Sequence, residues 1–285
     1  YDCKSPCHFS AITGKVDVLK YLWSKGADII NCTDRNFYTP LQMGCLYGNL
    51  EIVKFICENV CTNLEEMEEN EKRLEFDYRC RFYCKPTKNG NLLHLSCQNG
   101  NSDVLDYLLL NQKEMSKKWI KSLDNKSRSP LHVACQNGSL QCVKSLVNNV
   151  NYKHDLSGRK HVALIDAAAN GHTDIVMFLL KKGVDINIIN SAKLSAIDEA
   201  VLNQQIDVIK LLINFGAMKD FDDEKIANIF MKACSTLNEK IYSYFDSKFD
   251  IPYQKHGNKF IGQAVQLESE DLVNYLLEKK CTLEN

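Results

Sequence analysis

No apolar run in this sequence approaches the roughly 18 residues that a membrane-spanning helix requires, so no direct membrane insertion of this segment is expected. A charge excess of one sign is also missing. Lys and Arg number 35 against 36 Asp and Glu, a net charge of −1, which gives no electrostatic reason to expect a nucleic acid or an acidic membrane as partner. The first ten residues are polar and lack the apolar centre of a signal peptide. The motifs H-E-x-x-H and G-x-S-x-G are absent, and so is a Gly-rich phosphate loop. No enzyme activity, cofactor or metal is therefore expected. The chain starts at Tyr1, and a piece of a longer protein is expected.

Apolar residues are plentiful at 45% of 285, enough for a continuous core. The 13 cysteines are odd in number and scattered, several within amphipathic helical runs, which favours a reducing, cytoplasmic setting over a disulfide framework. A phrase also recurs. Ser5-Pro6-Cys7-His8-Phe9-Ser10-Ala11 matches Thr39-Pro40-Leu41-Gln42-Met43-Gly44-Cys45, then Asn91 to Cys97, then Ser129 to Cys135. Degenerate copies start at Val162, Ser195, Asn228 and Lys259, so the steps are 34, 52, 38, 33, 33, 33 and 31 residues. A second apolar phrase follows each copy, as in Gly14 to Leu22, Gly48 to Ile56, Gly100 to Leu108, Gly138 to Leu146 and Gly171 to Leu179. Both phrases place apolar residues at helical spacing. A Ser, Thr or Asn cap opens most first helices, often with proline next. Glycine then supplies the left-handed residue between the two helices.

The 33-residue step and the phrase T-P-L-H-x-A resemble the ankyrin repeat. Gly26-Ala27-Asp28 and Gly183 to Asn187 are similar to that family's loop after the second helix, and Asp34 to Pro40 and Asp124 to Pro130 to its β-turn finger, D-x-x-G-x-T-P. The resemblance covers essentially all of 1–285. It implies one all-α ankyrin-repeat solenoid of about eight helix-turn-helix repeats with an inserted segment around 59–88. The atypical last two repeats fit an end cap.

Several residue groups could carry chemistry. His94/Cys97 and His132/Cys135 lie three apart on helices. In the ankyrin family this His typically bonds backbone between repeats and the small residue packs against the next helix, and zinc needs four converging ligands. Cys3/Cys7, Cys57/Cys61 and Cys80/Cys84 are C-x3-C pairs whose spacing alone does not exclude zinc. Cys45, Cys97, Cys135 and Cys234 fall on the core register and should be inert, whereas Cys80 and Cys84 lie outside it. Asp17, Glu51, Asp103, Asp174 and Asp207 fall at the start of the second helices, where the helix dipole favours them. Asn99, Asn137, Asn170 and Asn203 share one register. Asparagine tolerates the left-handed region, so they are expected to terminate helices, a role compatible with lining a groove. The insertion is acidic in its first half (Glu65 to Glu75) and aromatic in its second (Phe76, Tyr78, Phe82, Tyr83). A basic extension with Lys113, Lys117, Lys118, Trp119 and Lys121 precedes the fourth repeat. It is expected to lie beside the insertion.

The expected function is recognition of another protein through fingers and inner helices. The resemblance implies contacts after the finger Asp and before the turn Gly. These are Arg35, Asn36, Tyr38, Leu46 and Tyr47; Gln98 and Asn99; Asn125, Lys126, Arg128, Gln136 and Asn137; and Leu156, Ser157, Arg159, Ala169 and Asn170. Tyr38 and Tyr47 are the preferred anchors, because aromatics dominate interface energetics. The resemblance also implies Asn187 as a substrate of an asparaginyl hydroxylase, with Leu179 eight residues before it and Asp185 two before. Rival readings make the chain the cytosolic ankyrin arm of a membrane channel or receptor, or the targeting arm of a larger enzyme.

Overall fold

The computed structural model describes residues 3–30, 32–59, 90–111, 113–149, 162–279 and 281, without the side chains of 113–115 and 149. Two compact units, Tyr1–Asp155 and Leu156–Asn285, divide the chain. The first holds α1 (Pro6–Thr13), α2 (Val16–Ser24), α3 (Pro40–Tyr47), α4 (Leu50–Asn59), α5 (Leu92–Gln98), α6 (Ser102–Asn111), α7 (Lys113–Trp119), α8 (Pro130–Gln136) and α9 (Leu140–Asn149). The second holds α10 (Ala163–Ala169), α11 (Thr173–Lys181), α12 (Ala196–Leu202), α13 (Ile206–Asn214), α14 (Asp223–Ser235), α15 (Glu239–Lys248), α16 (Tyr253–Gln266) and α17 (Glu270–Glu278). No β-strand occurs among the described residues.

Each pair begins with an inner helix, short up to α12 and longer in α14 and α16. Ser5, Thr39, Asn91, Ser129 and Ser195 cap the inner helices, and the residue three later, His8, Gln42, His94, His132 or Asp198, bonds back to the cap. Two orphan N–H groups at a helix start are thereby satisfied reciprocally. The turn to the outer helix needs a left-handed residue. Gly14, Gly48, Gly100, Gly138 and Gly171 supply it at φ 72–80°, and Gln204, Leu237 and Glu268 take the same place at φ 52–59° in the last three pairs.

In the first unit α1, α3, α5 and α8 pack in series, flanked by α2, α4, α6 and α9; in the second, α10, α12, α14 and α16 do the same. An inner helix between two neighbours is buried almost all round: Pro40 to Cys45 in α3 and Leu92 to Cys97 in α5. Outer helices bury one stripe, such as Ile175, Val176 and Leu179 of α11. Side chains also stitch repeats together. Asn49 Nδ2 donates to the carbonyls of Ala11 and Ile12, and Asn101 Nδ2 to those of Cys45 and Leu46. The terminal carbonyls of one inner helix are thus satisfied from the next repeat.

Two sequence expectations need correction. Asn99, Asn137, Asn170 and Asn203 have φ between −114° and −92°, so the left-handed residue is the one after each. Asn170 and Asn203 terminate their helices through side chains, which donate to the carbonyls of Asp166 and Glu199. The inner helices of the last two repeats start at Asp223 and Tyr253, not near Asn228 and Lys259. No Thr-Pro pair defines a later start there, and Asp222 caps α14 instead, accepting from Lys225 N at 2.9 Å. The basic extension forms α7, with Lys117, Lys118 and Lys121 exposed. Of the insertion expected around 59–88, Asn59 ends α4 and the rest lies outside the described residues, as do Cys61, Cys80 and Cys84.

Candidate recognition surface

Three fingers share one construction. Asp34 Oδ1 accepts the N–H groups of Asn36 (2.8 Å) and Tyr38 (2.9 Å), while Asp34 N donates to Tyr38 O at 3.0 Å. Asp124 repeats this with Lys126 and Arg128, and Asn190 with Ala192 and Leu194. A short side-chain acceptor that bonds two and four residues ahead folds the chain into a tight tip. Each tip contains one left-handed residue: Phe37, Ser127 or Lys193, at φ 60–64°. The finger is then tied to the previous repeat. His8 Nε2 bonds Tyr38 O at 2.8 Å, and His94 Nε2 bonds Arg128 O at 2.9 Å. These histidines are structural braces, as the resemblance implies.

Arg128 adds a side-chain clasp to its finger. Its guanidinium holds Asp124 Oδ2 through Nε (2.9 Å) and Nη2 (2.7 Å), and Nη1 donates to Gln136 Oε1 at 2.6 Å. Burial pushes the Asp124 carboxyl up, but the backbone N–H and guanidinium of Arg128 outweigh it and hold the group below its ordinary value. Tyr38 stands at the Arg128 position in the Asp34 finger, so Asp34 receives no such fork.

The expected contact residues separate by exposure. Arg35, Asn36, Tyr47, Gln98, Asn99, Asn125, Lys126, Asn137 and Asn170 are exposed; Leu46, Arg128, Gln136 and Ala169 are half-buried. Asn99 is bonded across repeats, Nδ2 donating to Leu46 O at 2.8 Å. Leu156, Ser157 and Arg159 lie outside the described residues. Tyr38 does not project as an anchor. It is 9% exposed, because alternation along the finger turns it inward while its neighbour turns out. The outward residue is Phe37, 75% exposed, a position sequence reasoning missed. It stands where the D-x-x-G-x-T-P phrase has glycine, and that mismatch was the available signal. Tyr47, at the end of α3, is 51% exposed.

A second feature lies in the Leu156–Asn285 unit. A cavity of about 490 Å³ is bounded by the finger tip at Lys193, the loop after α13 and the exposed side of α14. Asn187 is exposed at its rim, with its own N–H bonded to Asp185 Oδ1. Leu179, eight residues before it, is 1% exposed.

No group of three or more His, Cys, Asp or Glu side chains comes together as a metal site among the described residues. Burial pushes the thiols of Cys45 and Cys234 up to about 12 and that of Cys97 well above its ordinary value, as befits packing residues. Asp17, Glu51, Asp103, Asp174 and Asp207 are exposed in the first turns of outer helices.

Comparison with known proteins agrees with this architecture. Ankyrin repeats (3 copies) match residues 72–157, 93–190 and 148–223, and ankyrin repeats (many copies) match 5–56. An ankyrin repeat protein of Acanthamoeba polyphaga mimivirus is 26% identical over 193 residues, which is 67% of this chain and 28% of that protein. Among solved structures, the human ASB11 ankyrin repeat domain matches with a TM-score of 0.56 and 24% identity, over 75% of this chain and 84% of its own. The ankyrin repeat domain of Bcl-3, a member of the IkappaB protein family, matches with a TM-score of 0.53 and 16% identity, over 76% and 88%.

Proposed function

The chain belongs to the ankyrin-repeat family, and from that premise we propose that it is a non-catalytic recognition module that binds a partner protein through finger tips and the ends of inner helices. Phe37 carries the reading. A bulky side chain in the left-handed region costs about 1–2 kcal/mol, and an aromatic 75% exposed forgoes burial as well. Left-handed strain is shared with Leu237; what supports a contact role for Phe37 is its place on the finger tip, beside the exposed Arg35 and Asn36. Tyr47 extends the same surface from α3, with Arg35, Asn36, Gln98, Asn99, Asn125, Lys126 and Asn137 as its polar surround. We place residues 1–285 in one run of repeats, since the 33-residue steps from Ser129 to Val162 to Ser195 continue without interruption. The many buried thiols suit a reducing compartment. No helix among the described residues is long and apolar enough to cross a membrane.

The test is affinity for a captured partner. Phe37→Gly and Tyr47→Ala should each weaken binding about 30-fold, the scale of a hot spot. Leu110→Ser, on the exposed side of an outer helix, should leave it unchanged. Equal loss from all three, or from none, refutes the assignment. Asn187 is also proposed as a hydroxylation target. Because Leu179 is buried, modification should require α11 to open, so a destabilised variant should gain one oxygen at Asn187 faster than the parent. No added oxygen in either, by mass spectrometry, refutes it.

A further inference from the structure

The cavity beside the third finger has a composition unlike the chain as a whole. Its rim carries Lys193, Lys219, Lys225 and Lys232 against Asp198 and Asp220, an excess of two positive charges in a protein of net charge −1. Asp198 is already committed. It accepts from Ser195 N (2.9 Å) and Ser195 Oγ (2.6 Å), and its other oxygen from Lys232 Nζ at 2.6 Å. Lys225 lies over the Phe221 ring, 5.8 Å from its centroid. Lys193 and Lys219 are exposed, and neither forms an ion pair among the described residues. The acids opening α14, Asp222, Asp223 and Glu224, lie outside the lining and serve their own helix terminus. The apolar part of the lining comes from Ile189, which is exposed, and from Met218 and Ile229, which are buried.

An apolar lining with a cationic rim selects an amphipathic, acidic occupant. A volume of about 490 Å³ falls within the range of about 300–1,000 Å³ usual for ligand sites. Nucleic acid fits less well, because the lining holds a single aromatic ring, Phe221, one face of which lies under Lys225. The geometry points to a docking site for an acidic peptide segment of a partner protein, with a Glu or Asp carboxylate between Lys193 and Lys219 and an adjacent apolar side chain on Met218 and Ile229. This rests on the recognition reading but lies on a different part of the chain from Phe37 and Tyr47.

The probe is a fluorescent eight-residue peptide alternating Glu with Leu, read by anisotropy against the same peptide with Gln for Glu. The Glu peptide should bind at least tenfold tighter, and raising salt from about 0.05 M to about 0.5 M should weaken it. Lys193→Glu combined with Lys219→Glu should lower affinity at least tenfold with an unchanged melting curve, whereas the exposed Lys259→Glu should not. Equal binding of Glu and Gln peptides, or no effect of the double variant, overturns the site. A phosphoserine peptide bound tenfold tighter than the Glu peptide overturns the carboxylate assignment. An oligouridylate bound more tightly than the Glu peptide, and lost in the double variant, overturns the peptide. Phe37→Gly should leave peptide binding intact, so failure here is distinguishable from failure of the Phe37 surface.

Discussion

At the scale of single residues, the left-handed positions separate economy from function. Leu237 occupies the turn that glycine fills in five earlier repeats and is exposed. Relief of about 1–2 kcal/mol of left-handed strain, less about 0.5–1 kcal/mol for the added chain entropy of glycine, predicts that Leu237→Gly stabilises by about 0.5–1 kcal/mol in urea unfolding. Phe37→Gly should stabilise by a similar amount while weakening partner binding, and those opposite signs separate a contact residue from a structural one. The D-x-x-G-x-T-P phrase located the finger, but it could not place the side chains. Tyr38 was expected outside and is packed inside, because outward direction depends on which finger residue takes the left-handed turn. Acid should loosen the carboxylate braces. Asp124 and Asp198 are held below their ordinary value of 3.8; burial opposes this, but the Arg128 and Lys232 contacts prevail. Groups depressed on folding contribute stability above their unfolded value and lose it as pH falls from about 4 through the lowered value. The unfolding midpoint should therefore drop below pH 4 by less in Asp198→Asn than in the parent.

At the scale of elements, the last three helices depend on one carboxylate. Asp246 of α15 accepts from Tyr253 Oη of α16 at 2.6 Å, Tyr275 Oη of α17 at 3.0 Å and Lys279 Nζ at 2.5 Å. Burial raises this carboxyl, and Lys279 with the two phenols more than reverses the effect. Asp246→Ala leaves the two half-buried phenols without their acceptor and should cost about 2 kcal/mol. Hydrogen exchange should accelerate in 239–278 and stay unchanged in 163–181; uniform acceleration would mean that the network does not act locally. Sequence periodicity could not show this joint, since Tyr253, Tyr275 and Lys279 lie 7, 29 and 33 residues from Asp246 and carry no repeat motif. Nor did it place the starts of α14 and α16, where Asp222 and Pro252 replace the Thr-Pro signal.

At the scale of the molecule, a repeat array is stabilised by each unit and its nearest neighbours. A chain ending at residue 190 should accordingly retain a helical circular-dichroism spectrum and melt at a lower temperature than the whole. A wholly disordered spectrum would contradict nearest-neighbour stabilisation. Deleting 62–85 should likewise spare the helical signal, because long surface insertions cost little closure entropy.

The sequence by itself determined the repeat, its helix pairs, the capping residues and the glycine turns, because these are local: a cap bonds three residues away, and a left-handed turn needs one permissive residue. It also marked the core registers of Cys45, Cys97, Cys135 and Cys234. Only the tertiary structure decided that Phe37 faces outward and Tyr38 inward, that Arg128 is engaged with Asp124 and Gln136, and that lysines from three separate segments meet over Met218 and Ile229. Those outcomes depend on packing between elements distant in sequence, where period-33 similarity records the fold and leaves the surface chemistry free to vary.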